Sequence, residues 1–235
     1  LFKGSETRRF FVMNADLFVR SLCFIAIYIG FTVISARYGD VLLAVSSIMM
    51  KILMIFSYFT DGFAYAGEAM TGRYIGARDL PNLRKTVRWT FVWSMGLAAV
   101  FIVIYHFGGM SLLKIMTSDA AVIEASVTFL PWLVLMPVVG CAAFTWDGIY
   151  IGATGSREMR NSMLWSVVAF AAVWCVGILL LNSFGTSLSG ADHDMTSSST
   201  PYGVAAMHIL MGAYFAHLLA RTIYLTIRSP RIYVF

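Results

Sequence analysis

Four carboxylates stand in or beside long apolar runs of this chain: Asp16, Asp61, Glu68 and Asp147. Three basic residues, Arg20, Lys51 and Arg221, share that setting. A charge at the centre of a hydrocarbon layer costs at least ~2.5–3.5 kcal/mol, so groups kept there normally face a protein interior or a water-filled cavity. An acid so placed can take up H⁺ or Na⁺ and alter how its helix packs. That is the chemistry of an ion-coupled moving element.

The spacing sharpens the point. Asp16, Asp61 and Asp147 each lie about five to seven residues from one end of their own apolar run, so three carboxylates on three helices are expected in one layer, able to converge. Asp16 and Arg20, four residues apart, share a helical face in the favourable acid-before-base order and are expected to pair. That pair reads equally as a structural ion pair and as part of a coupling site, with Asn14 on the neighbouring face as a further polar ligand. Arg20 and Lys51 count to mid-membrane at ~1.5 Å per residue, whereas Arg221 near a run's end is expected to snorkel to water. Asp61 and Glu68, seven apart, share a face, but Asp61 lies deeper and is the better proton carrier, with Asp147 beside it in that role. Glu68 is expected to organise a surface loop with Arg73 and Arg78.

Small residues surround these acids. The segments FTDGFAYA and FTWDGIYIGA both set Asp-Gly before a small-residue patch, at Asp61-Gly62 and Asp147-Gly148. Gly72 with Gly76, and Gly148 with Gly152, make two GxxxG spacings of the kind that allow close helix approach.

Positioning these residues falls to helices in lipid. The 235 residues are 59% hydrophobic and 12% charged, with a mean hydropathy of +0.77, whereas globular domains carry about 25% charge. Runs of ~20 apolar residues, enough to span a bilayer, fall at about 10–34, 42–68, 86–107, 122–153, 160–184 and 202–227. The expected fold is an all-α integral membrane protein, a six-helix transmembrane bundle. The second and fourth runs exceed a bilayer and are expected to tilt, bend or project, with Pro131 and Pro137 bending the fourth. The Ser/Gly-rich stretch before the last run is expected to be a flexible external loop.

Basic residues orient the bundle. Lys3, Arg8, Arg9, Arg73, Arg78, Arg84, Lys85, Arg88, Arg157, Arg160, Arg228 and Arg231 fall on one side, against Arg37 and Lys114 on the other. Cytoplasmic loops retain Lys and Arg, so both ends of the chain are expected to be cytoplasmic, in a multi-pass cell-membrane protein. The net charge of +5 then reflects topology and anionic lipid headgroups rather than nucleic acid. The start, LFKGSETRR, is too short and polar for a signal peptide, and the chain reads as a piece whose N-terminal part lies elsewhere.

Other chemistry finds little support. Cys23, Cys141 and Cys175 stand singly in apolar segments and read as small buried hydrophobes. His106, His208 and His217 lack ligand spacing, and Asp192-His193-Asp194 reads as solvated loop rather than a metal site. There is no HExxH or GxSxG motif, so an enzyme is not expected, nor any cofactor beyond the coupling ion. Met49, Met50, Met54 and Met70 read as lipid-facing or as a pliable substrate wall, and Trp89, Trp93, Trp132 and Trp165 as interfacial anchors.

The segments NADLFVRSL (14–22), SARYGDVLLAVSSI (35–48), DGFAYAGEAMTGRYIGARD (61–79) and WDGIYIGATGSREMRNSM (146–163) together resemble the multidrug and toxic compound extrusion (MATE) family, in its DinF-like branch. The resemblance covers about residues 8–170. It implies that this chain is the C-terminal half, helices seven to twelve, of a twelve-helix antiporter. Two six-helix lobes would form a V-shaped cleft that opens alternately to either face, exporting small organic, often cationic, compounds against inward H⁺ or Na⁺. It places family cation sites at Asn14 and Asp16 on the seventh helix and Asp147 on the tenth, while other members carry the coupling acid in the N-terminal lobe, the partner of this one. Two alternatives remain: a lipid-linked oligosaccharide flippase of the same superfamily, using Arg20 and Lys51 for a pyrophosphate, and a noncatalytic membrane scaffold.

Overall fold

All six apolar runs fold as helix, because in lipid each backbone N–H and C=O must be satisfied within its own segment. In the structure, a computed structural model, residues 4–185 and 201–233 are described. Lys3 and the Asp192-His193-Asp194 loop lie outside the described residues. Helices α1 (Gly4–Ser35), α2 (Asp40–Gly76), α3 (Leu80–Met116), α4 (Ala120–Val127), α5 (Leu130–Gly152), α6 (Ser156–Gly185) and α7 (Pro201–Arg228) follow in order. Six of them are long and apolar enough to cross a membrane. The chain forms an all-α membrane bundle.

Local chemistry sets the breaks. The α1–α2 corner turns at Gly39, whose φ of 93° suits glycine. Asp79 caps α3, accepting from the Asn82 backbone N–H at 3.1 Å and its side-chain amide at 2.6 Å, with Pro81 in the first turn. Those two hydrogen bonds hold the Asp79 carboxyl below its usual range. Asp119 caps α4 in the same way, accepting from Ala121 at 2.9 Å.

The span expected at 122–153 is two helices. The chain breaks at Thr128–Phe129, and Pro131 sits in the first turn of α5, where its missing N–H costs nothing. Pro137 lies inside α5. The second span is long, as expected, but its match in length is the third rather than the fourth: α2 and α3 have 37 residues each. At ~1.5 Å per residue both outrun a hydrocarbon layer of about 30 Å.

Helix α5 forms the centre. It packs along α2, α3 and α7, while α6 lies along α7 and α1 along α6. Phe56 of α2 meets the rings of Phe101 on α3 and Phe144 on α5, with centroids 5.4 and 6.4 Å away. Gly148 and Gly152 bring the α5 backbone onto α2. A Cβ on Gly148 would stand 2.6 Å from the Ala64 carbonyl carbon, and one on Gly152 would stand 3.0 Å from that of Glu68. Only Gly72 of the other GxxxG joins this crossing, its Cβ position 3.4 Å from the Gly152 carbonyl oxygen, whereas Gly76 faces open space. Two hydrogen bonds then fix α5 against α7: Trp146 Nε1 donates to Thr226 at 2.9 Å, and the Tyr150 hydroxyl donates to the Leu225 carbonyl at 2.7 Å.

Candidate functional site

That register sets Asp147 of α5 against Arg221 of α7, about one turn from the hydrogen bonds just described. Arg221 and Arg20 of α1 both reach the same carboxylate oxygen, Asp147 Oδ2. The Arg221 side chain is 2% exposed, Asp147 13% and Arg20 25%, so the cluster is closed towards α7 and opens towards α1. Half-buried Asp61 of α2 lies within electrostatic reach of both guanidinium groups without a direct ion pair to either. Two arginines and two aspartates on four helices thus form a group whose formal charges cancel. Asp147 Oδ1 and the Nε atoms of Arg20 and Arg221 have no hydrogen-bond partner within the described protein.

A second, separate latch joins α1 to α6. Asp16 is buried and accepts from Arg160 Nη1 at 2.5 Å and from the Ser156 hydroxyl at 3.0 Å. The expected Asp16–Arg20 pair is therefore absent. An i, i+4 pair on α1 would leave Arg160 of α6 and Asp147 of α5 without these partners. Pairing across helices encloses them: Asp16 turns to α6, and Arg20 turns to α5 and α7. Of the three carboxylates expected in one layer, Asp147 pairs with Arg20 and Arg221, Asp61 lies in the field of the same two arginines, and Asp16 does not join them.

The family model called MatE matches residues 17–182 of the chain. The chain belongs to the MatE family. The matched segment contains Arg20, Asp61 and Asp147; Asp16 lies just before it, and Arg221 lies beyond it on α7. DNA damage-inducible protein F of Escherichia coli is 37% identical over 70% of this chain and 36% of its own length. The probable multidrug resistance protein NorM of Photorhabdus laumondii is 28% identical over 62% and 31%. Protein DETOXIFICATION 42 of Arabidopsis thaliana is 25% identical over 64% and 28%. The chain thus spans about a third of the length of the curated relatives it matches. No solved structure matches it significantly. MatE is a family of multidrug and toxic compound extrusion transporters, and this is a multi-pass membrane protein of that family.

The remaining expected residues of this MatE chain are placed differently. Arg221 does not snorkel; it is among the largest fully buried side chains, held by Asp147. Asn14 is exposed and donates to the Phe10 carbonyl of its own helix at 2.8 Å, away from the cluster. Lys51 is exposed and Glu68 half-buried, and neither forms an ion pair among the described residues. The charged hub at that end of the bundle is Glu158, which takes Arg231 at 2.6 Å, Arg228 at 3.9 Å and the Tyr224 hydroxyl at 3.0 Å. Arg20, one of the two bases considered for a pyrophosphate, is engaged by Asp147. Met49 and Met50 are core residues, neither lipid-facing nor wall. His217 is fully buried against the Tyr214 carbonyl, and His208 accepts from Trp132 Nε1 at 2.9 Å.

Sequence reasoning missed Arg160 and Glu158 as site residues, because both lie in SREMR, which reads first as a topology signal. Arg221 carried a usable signal. It lies in the largely apolar stretch HLLARTIYL, and a buried acid elsewhere was its natural partner.

Proposed function

We propose that this chain is one lobe of a secondary exporter, with its Arg20–Asp61–Asp147–Arg221 cluster as the ion-coupling element. The observation that carries the reading is the neutral cluster itself: four ionisable side chains from four spans, held inside a bundle that belongs to a transporter family. Asp147 is already neutralised by two contacts. Asp61 is the cluster carboxylate without a direct ion pair, so an incoming H⁺ or Na⁺ is taken there.

Cation uptake changes the cluster's formal charge from zero to one positive. The like charges of Arg20 and Arg221 are then incompletely screened, at a depth where a net charge is costly. Arg20, more exposed than Asp147 and Arg221, is the group free to move, and it carries α1. Helix α1 shifting against the α2/α5/α7 core alters which membrane face the lobe opens to, and a second lobe supplies the other wall of the cleft. One inward charge is worth ~2.3 kcal/mol per 100 mV, enough for roughly a fifty-fold gradient of a neutral substrate. The substrates on this reading are small organic compounds, often cationic, and both ends of the chain face the cytoplasm.

The test uses the intact protein in proteoliposomes with an imposed cation gradient and a fluorescent organic cation. Asp61→Asn is expected to abolish gradient-driven export while leaving substrate binding within a few-fold. Export at the unsubstituted rate would overturn the assignment.

A further inference from the structure

The outer face of α3 points to a second kind of site. Its exposed residues from Trp89 to Ile104 are all apolar, among them Val92, Trp93, Met95, Val100 and Val103. Helix α2 differs, since it exposes Lys51 in mid-span. Helix α3 is thus a lipid-facing wall, and beside it runs an open groove of about 290 Å³ between α2 and α3. The two helices touch beside Thr90, which lines the groove: a Cβ on Gly67 would stand 3.0 Å from Thr90 Cγ2. Phe63, Met70 and Tyr74 of α2 form one side, and Trp89 and Trp93 of α3, 57% and 61% exposed, form the other.

The groove is graded along its length. Asn82 and Lys85 lie at its end nearest the α3 N-terminus. Lys85, Trp89 and Trp93 follow at four-residue intervals, so they form one stripe, with Trp93 about 12 Å beyond Lys85. Exposed Arg84 and Arg88 flank Lys85. The nearby acid, Asp79, is tied to Asn82 as the α3 cap. The result is a cationic, hydrogen-bonding mouth at the edge of the apolar span, followed by two interfacial indoles and a hydrocarbon-lined channel open to the bilayer.

We propose that this groove is a binding site for an anionic phospholipid. The phosphate meets Lys85, the glycerol and ester region meets Trp89, and an acyl chain lies between Trp93 and Phe63. Charge complementarity selects the headgroup: a zwitterionic lipid brings a cationic amine to a mouth where Lys85 already supplies positive charge. The site is independent of the ion-coupling cluster.

The purified intact protein, delipidated and re-exposed to equal amounts of phosphatidylglycerol and phosphatidylcholine, is examined by native mass spectrometry. Phosphatidylglycerol is expected to be retained preferentially. Lys85→Gln is expected to weaken that preference about fivefold, the ~1 kcal/mol of one basic residue near an anionic surface. Trp93→Ala is expected to reduce retention of both lipids. Gln at position 85 is an exposed change that leaves the fold intact, and Lys114→Gln, at the far end of α3, serves as the charge-matched control. Equal retention of the two lipids would overturn the proposal. So would a Lys85→Gln effect no larger than that of Lys114→Gln, or a groove closed to added lipid by another part of the protein.

Discussion

Replacing Asp147 by Asn removes the one anion that both guanidinium groups touch. The cluster then holds two arginines against Asp61 alone, a formal charge of one positive. Arg221, at 2% exposure, has no route to water and must lose most of its electrostatic compensation in place. Breaking a buried pair by removing one partner typically costs ~3–5 kcal/mol. Arg20, with its side chain 25% exposed, relaxes outward, so the expected loss is near the lower end of that range, about 3 kcal/mol. For a chain of this size that corresponds to a fall in Tm of roughly 6–12 °C. Adding Arg221→Met to Asp147→Asn restores a neutral Arg20–Asp61 remainder, and most of the loss is expected to be recovered. Cys141 offers the readout: it is fully buried in α5, so its labelling by a thiol-reactive fluorophore on heating reports unfolding, once Cys23, Cys175 and any other cysteines are replaced. A single variant as stable as the parent, or a double variant no better than the single, would refute the charge-balance reasoning.

Gly148→Ala must push α2 from α5, because its Cβ meets the Ala64 backbone; a loss of about 1–3 kcal/mol is expected, against no measurable change for Gly76→Ala in the same thermal assay. Asp16→Ala is expected to free α1 from α6, raising hydrogen exchange of both helices near Ser156 while leaving exchange around Asp147 unchanged. The Asp79 cap has a folded pKa below its unfolded value of about 3.9. Its contribution is therefore fully present above that value and is lost as pH falls through the lower folded pKa. Asp79→Ala is accordingly expected to speed amide exchange in the first turn of α3 at pH 6, with the difference from the parent vanishing once the pH is below the folded pKa.

Hydropathy and loop charges made the six spans legible, because the bilayer imposes helix on each apolar run. The break at Thr128–Phe129 was marked by Pro131, yet continuous apolarity across 122–153 concealed it. The acids Asp61 and Asp147 were legible as a pair through their shared Asp-Gly context. Their basic partners were not, since helical spacing ranks Arg20 with Asp16, whereas burial ranks it with Asp147 across the bundle. Interhelical rotation decides that competition, and no local pattern encodes it. The same holds for Gly148 and Gly152, whose motif was visible while its mate, the Ala64–Glu68 backbone, was not.

Release of the coupling cation on substrate binding tests the assignment of Asp61 most directly. The intact protein in weakly buffered detergent solution is mixed with a fluorescent organic cation, and the cation set free is read as protons at low Na⁺ or as displaced radioactive Na⁺. Release is expected from the parent and from Asp16→Asn, and none from Asp61→Asn. Undiminished release from Asp61→Asn would show that the cluster is structural and that coupling resides elsewhere.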